Sequence, residues 1–180
     1  MTFILLRLKC PDMYRLIGLM ASGAGIIGLK VWYGQADVAD LTAILHPTQI
    51  IIGQLSGEVA TWTEEGYLYE GIGVIIGKSC SGFNFLITAL MVSALTILQQ
   101  SRRSAWMIDL MSALVISFVA TLLANVSRIA SLILIQQRLQ LTFISESLTH
   151  KSIGAAIYLC FLIGVSYVLR LLFIKSSKNS

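Results

Sequence analysis

The sequence predicts an all-α fold: a multispan integral membrane helical bundle of about four transmembrane helices plus interfacial or re-entrant segments. Three observations predict it. The 180 residues are 56% hydrophobic and 12% charged, with two prolines and a mean hydropathy of +0.81, far from the averages of soluble chains. The apolar residues fall in long runs suited to crossing about 30 Å of hydrocarbon. Lys and Arg lie in short clusters beside those runs, the pattern that orients a chain in a bilayer. The whole chain, 1–180, reads as a single membrane-embedded domain.

The same features exclude other classes. Net charge is +4, but the cations sit at the ends of apolar runs rather than on one broad basic face, so they report topology and not nucleic-acid binding. Cys10, Cys80 and Cys160 are far apart and match no metal-ligand spacing or disulfide framework. No cofactor and no metal are expected. Met20-Ala21-Ser22-Gly23-Ala24 lies inside an apolar stretch that continues to Val31, so the first segment is expected to be an uncleaved anchor rather than a signal peptide.

Span one runs from about Leu16 to Trp32. Arg7, Lys9 and Arg15 precede it, which predicts a cytoplasmic N-terminus. Gly18, Gly23, Gly25 and Gly28 suit close helix packing, and Trp32 and Tyr33 belong to an aromatic belt. From Gly34 to Ser79 the chain carries Asp37, Asp40, Glu58, Glu64, Glu65 and Glu70 against the single Lys78, which fits the outer side. Within this stretch Leu41 to Leu55 is apolar but broken by His46-Pro47, and it reads as an interfacial or half-buried helix. Residues 61–70 alternate around Glu65-Gly66 and predict a short hairpin on the membrane surface.

Span two, about Phe83 to Leu98, ends at Arg102-Arg103, which mark the cytoplasm. Span three, about Ala105 to Leu123, returns outward. Asp109 lies early in it and reads as a partner for Arg102 or Arg103. Ile129 to Ile135 is a short apolar piece expected to dip into the bilayer or lie along it. The last span follows His150 and reaches Ile174, with Arg170, Lys175 and Lys178 at a cytoplasmic end. Both termini are then inside.

This topology brings three chemically capable residues to one outer interface. Gly77-Lys78-Ser79-Cys80-Ser81-Gly82-Phe83 presents a cysteine among small residues, so backbone amides and a substrate can come close to the sulfur. A thiol reacts as its thiolate, and Cys80 stands at the N-terminal end of the helix starting at Phe83, where negative charge is favoured. Arg128, at the end of Asn125-Val126-Ser127-Arg128, offers a permanent cation with several donors. His150 can exchange a proton near neutral pH. Nucleophile, fixed cation and proton shuttle together suit acyl transfer. Each also has an ordinary structural role: a buried small hydrophobe, a cation reaching the headgroups, and a helix cap.

The combination Cys80-Ser81-Gly82-Phe83, then Asn125-Val126-Ser127-Arg128, then His150-Lys151-Ser152-Ile153-Gly154 resembles the exosortase/archaeosortase family of membrane transpeptidases, over roughly residues 71–172. The short length looks most like the exosortase K branch. The resemblance implies that proteins with a C-terminal sorting signal and a transmembrane tail are cut near the outer face of the cytoplasmic (inner) membrane. Cys80 would attack the scissile carbonyl and form a thioester, Arg128 would stabilise charge, and His150 would act as acid and base. The acceptor nucleophile is unknown from these residues. A hydrolytic peptidase, a non-enzymatic scaffold or assembly factor, and a small transporter are the alternatives. The transporter fits poorly with spans nearly free of charge.

Overall fold

The computed structural model describes residues 13–100, 106–138 and 146–178. Five α-helices and one small sheet follow in chain order: α1 (Met13–Gln35), a 3₁₀ turn (Ala39–Leu41), α2 (Thr42–Ser56), β1 (Thr61–Thr63), β2 (Gly66–Tyr69), β3 (Val74–Ile76), a second 3₁₀ turn (Lys78–Cys80), α3 (Phe83–Gln100), α4 (Trp106–Arg138) and α5 (Glu146–Lys178). Among the described residues, four stretches are long and apolar enough to cross a membrane: Leu16–Gln35, Lys78–Leu98, Met107–Ile135 and Ser152–Leu171. The protein is a multispan helical membrane protein.

Helices α3 and α4 pack through small residues. Ala89, Ser93 and Ala94 on one, and Ala113, Ser117, Ala120 and Ala124 on the other, are all buried. Lipid offers little hydrophobic drive for helices to associate, so close backbone approach through small side chains is what holds spans together. Phe85 and Ala89 meet Ala120 and Ala124 at one level, and Ala94 and Ile97 meet Ala113 at another. That register makes α3 and α4 antiparallel. α5 adds Tyr158, Phe161 and Leu162 to the first level and Leu169 to the second, and so runs antiparallel to α4. The outward faces carry Val115, Val119, Leu123, Leu159 and Ile163, all exposed, which suits contact with acyl chains.

The largest apolar cluster lies at the end of the bundle where α3 begins. Leu41, Ile44, Leu45 and Ile52 join Tyr69 and Ile76 of the sheet, Phe83 and Leu86 of α3, and Ile129 of α4. Ile44, Leu45, Thr48 and Ile52 share one face of α2 at helical spacing. Gly57 closes that helix in the left-handed region, φ +74°, and its N–H donates to the Gly53 carbonyl. The sheet is antiparallel in the order β1-β2-β3, with Trp62 opposite Tyr67 and Tyr67 opposite Ile76.

Three expectations change. His46-Pro47 does not break its segment: α2 continues through Pro47, the cost of the proline being offset by the packing of Ile44, Leu45 and Ile52, on either side of it, into the core. Residues 129–135 are no separate dipping piece but the last turns of α4, whose 33 residues form one helix. At about 1.5 Å per residue it is longer than the hydrocarbon layer is thick. The hairpin exists, but Val74–Ile76 adds a third strand that the sequence reading missed. Asp109 is 7% exposed within α4, whereas Arg102 and Arg103, its expected partners, lie outside the described residues, as do Arg7, Lys9 and Cys10.

Candidate active site

Cys80 is held by the turn that links the sheet to α3. Gly77 is extended, φ −113° and ψ −161°, and so prolongs β3. The Cys80 N–H then donates to the Gly77 carbonyl at 2.9 Å, and Ser81 N–H donates to the Lys78 carbonyl at 3.2 Å. Ser81 accepts from the Phe83 N–H at 3.3 Å through its hydroxyl oxygen, satisfying one of the donors that a helix start leaves open. Cys80 is a free, half-buried thiol, and the Ser79 hydroxyl lies 3.9 Å from its sulfur.

The turn is pinned from α1. The Tyr33 hydroxyl donates to the Lys78 carbonyl at 3.1 Å, and the Lys78 ammonium donates to the Ala36 carbonyl at 2.6 Å. Tyr33 also stacks on Phe83, centroids 4.5 Å apart and 9° between planes, while Lys30 donates to the Asn84 side-chain oxygen at 2.6 Å. The aromatic residues assigned to a membrane belt therefore also anchor the start of α3.

A hydrogen-bonded chain crosses the bundle behind the cysteine. Asn125 of α4 donates through Nδ2 to the Cys80 carbonyl at 2.6 Å. Its Oδ1 accepts from the Tyr158 hydroxyl of α5 at 3.1 Å, and that hydroxyl oxygen accepts from Arg128 Nη1 at 3.1 Å. Donor and acceptor roles are consistent along the whole chain, since the hydroxyl gives one bond and takes another. The Arg128 guanidinium also lies 5.6 Å from the Tyr158 ring centre, and Tyr158 stacks on Phe85 at 4.8 Å. Asn125 is fully buried, where an amide needs partners to offset its desolvation.

Two glycines make room for this chain. Gly82 has φ +70°, and a Cβ added there would stand 3.2 Å from Asn125 Cγ. It therefore serves both the left-handed backbone entering α3 and the approach of Asn125. Gly154 of α5 faces Arg128: an added Cβ would lie 2.9 Å from Nε and 3.2 Å from Cδ.

The structure thus joins Cys80 and Arg128, two of the three residues singled out in the sequence, into one polar cluster. The contacts reach the cysteine backbone rather than its sulfur. His150 belongs to α5 one turn before Gly154, the residue packed at Arg128, but its side chain lies outside the described residues. Tyr158 was missed by the sequence reading. Its signal was present: 150, 154 and 158 recur every four residues and so share a helix face. An apolar groove of about 610 Å³ lies between α4 and α5 and is lined by Leu123, Cys160 and Gly164 among others. It contains none of the residues of the cluster.

Fold and site together define a multi-pass helical membrane protein with a buried polar cluster gathered around a cysteine where α3, α4 and α5 meet. A family model described as transmembrane exosortase matches residues 19–167, and the chain belongs to that family. At the family level it is a membrane transpeptidase or protease whose substrates are proteins with sorting signals. No curated protein and no solved structure gives a significant match to the chain.

Proposed function

We propose that this protein is a cysteine transpeptidase of the exosortase K type, which removes C-terminal sorting tails of the Pro-Glu-Pro kind from exported proteins at the outer face of the cytoplasmic (inner) membrane. The observation that carries this reading is the chain from Arg128 through Tyr158 and Asn125 to the Cys80 carbonyl. A cysteine serving only as a small hydrophobe requires no such polar bracing. Residues 1–180 act as one domain, with both termini in the cytoplasm and Cys80 at the extracytoplasmic interface.

In this mechanism the Cys80 thiolate, its proton held by His150, attacks the scissile carbonyl carbon and forms the C–S bond. The carbonyl oxygen becomes an oxyanion, and Arg128 is the fixed charge that favours it. When the intermediate collapses the C–N bond breaks, His150 protonates the leaving amine, and the N-terminal product remains as a thioester. A second nucleophile then attacks the thioester, gives its proton to His150 and restores the thiolate. An amine or hydroxyl acceptor makes the reaction a transfer, whereas water makes it a hydrolysis. Tyr158 and Asn125 are positioning residues: they fix the cysteine turn and the guanidinium relative to each other.

The test is co-expression of wild type, Cys80→Ala and His150→Ala, at matched membrane levels, with a reporter bearing a sorting tail from the same host. Loss of the tail, followed by mass and by release from the membrane, is expected only with both residues intact. Equal processing by Cys80→Ala removes the nucleophile assignment and favours a scaffold. A labelled acceptor retained on the product separates transfer from hydrolysis.

A further inference from the structure

The apolar groove between α4 and α5 does not stop at those two helices. Its space of about 610 Å³ joins a second of about 540 Å³, which follows α4 from Met107, and the two share Val115 and Ile116 in their linings. The continuous groove therefore accompanies α4 from Met107 to Leu123, about 24 Å at about 1.5 Å per residue. That is close to the about 30 Å of the hydrocarbon layer and well beyond the about 15 Å of one leaflet. Its lining bears no charge. Small residues thin its walls: Ala120 on α4, with Cys160 and Gly164 one turn apart on α5. A Cβ added at Gly164 would meet nothing within 4 Å. Leu123 stands two residues before Asn125, and Cys160 two residues after Tyr158, so the groove ends where the hydrogen-bonded chain to the cysteine turn begins.

We infer that this groove seats the transmembrane helix of the substrate's sorting tail, holding it against α4 and α5 while the segment leaving the membrane reaches Cys80. This rests on the peptidase reading above and deepens it. Three features of the molecule select this occupant over others. The first is length: a lipid acyl chain occupies one leaflet, whereas the groove runs nearly the full depth of the hydrocarbon, as a spanning helix does. The second is closeness of approach. Helices in lipid associate where small side chains let their backbones come together, and Cys160 and Gly164, both exposed on α5, leave room for that. The third is position. The groove ends at the level of Asn125 and Tyr158, so a helix lying in it emerges beside the polar cluster, and seating the tail there brings the scissile bond to the cysteine turn as an intramolecular neighbour. A contact between two copies of the chain has no need of that placement.

The experiment places a photo-crosslinking benzoylphenylalanine at Val119, 50% exposed in the groove, or at Met20, 67% exposed on α1, in the full-length Cys80→Ala chain co-expressed with the sorting-tail reporter. At least tenfold more reporter adduct is expected from position 119 than from position 20, mapped by mass spectrometry to the reporter's transmembrane helix. Equal yields, no reporter adduct at 119, adducts with lipid alone, or adducts only with a second copy of the enzyme would each overturn the proposal. Filling the groove is the second arm. Gly164→Leu projects into open space, as does Gly25→Leu on α1, where an added Cβ also meets nothing within 4 Å. Processing is expected to fall at least tenfold in Gly164→Leu with unchanged melting, and to stay within about twofold of wild type in Gly25→Leu. Equal processing by the two variants would overturn the proposal as well. Cleavage by wild type without the position-119 adduct removes groove docking alone, whereas the adduct without cleavage keeps the docking site and removes the peptidase reading.

Discussion

The Tyr158 hydroxyl donates to Asn125 Oδ1 at 3.1 Å while accepting from Arg128, so one phenol on α5 joins the cation of α4 to the amide that grips the cysteine turn. Tyr158→Phe keeps the stacked ring on Phe85 and removes only this link. Tail processing is expected to fall about 10- to 100-fold, and leaving buried groups without the hydroxyl costs about 1–3 kcal/mol of stability. Processing rates and melting in detergent check both. Full activity with unchanged melting would show that the chain has no functional part.

Gly82 and Gly73 separate backbone strain from contact. Both have positive φ, +70° and +65°, but an added Cβ meets Asn125 at Gly82 and nothing within 4 Å at Gly73. Gly73→Ala carries only the left-handed penalty, about 1–2 kcal/mol. Gly82→Ala carries that and also displaces Asn125. Processing by Gly73→Ala should stay within about twofold of wild type, and Gly82→Ala should lose at least tenfold. Similar losses in the two variants would mean that Asn125 contact is unimportant.

Gly154→Ala tests the seat of Arg128. The new methyl would press on Nε and Cδ, and a long side chain yields more readily than backbone does. Activity is therefore expected to fall at least tenfold while the melting temperature changes little. If thermal stability falls in step with activity, the glycine serves helix packing instead.

Tyr69, outside the spans, supplies a pH prediction. It is fully buried, and its hydroxyl donates to the Gln49 carbonyl. Burial pushes its pKa above the usual 10.0, with the negative charge of Glu58 adding to the effect and a backbone hydrogen bond at Gly53 opposing it. The unfolded chain therefore ionises first. Its contribution to stability is intact below about pH 10 and is lost as pH rises through the higher folded value. Between pH 9 and pH 11 wild type should lose more melting temperature than Tyr69→Phe does. Parallel losses would place the alkaline sensitivity elsewhere.

Much of the membrane architecture was legible in the residues. Runs such as Phe83–Leu98, bounded by Arg102-Arg103, report apolar length and charge placement, both local properties that the bilayer reads directly. Cys80 and Arg128 were singled out by side-chain type and local setting, and charge clusters assigned their segments to one face. Tyr158 was hidden by its setting in an apolar run: a tyrosine there is as well suited to lipid, and only the facing helix gives its hydroxyl two partners. The third strand was equally hidden, since Val74-Ile75-Ile76 is too short and too apolar to show a strand period. Pro47 and the end of α4 were misread because local breaking and span-length rules were applied where tertiary packing and helix continuation prevail.

By itself, then, the sequence determined that this is a multispan membrane protein and which residues are chemically able to act, since hydrophobic length, charge position and side-chain type are encoded residue by residue. The tertiary structure alone decided which of those residues meet. Asn125, Arg128 and Tyr158 touch because the small-residue seam of α3 and α4 and the antiparallel docking of α5 set one register among many that apolar helices would allow, and in that register the Asn125 amide and the Tyr158 hydroxyl find partners.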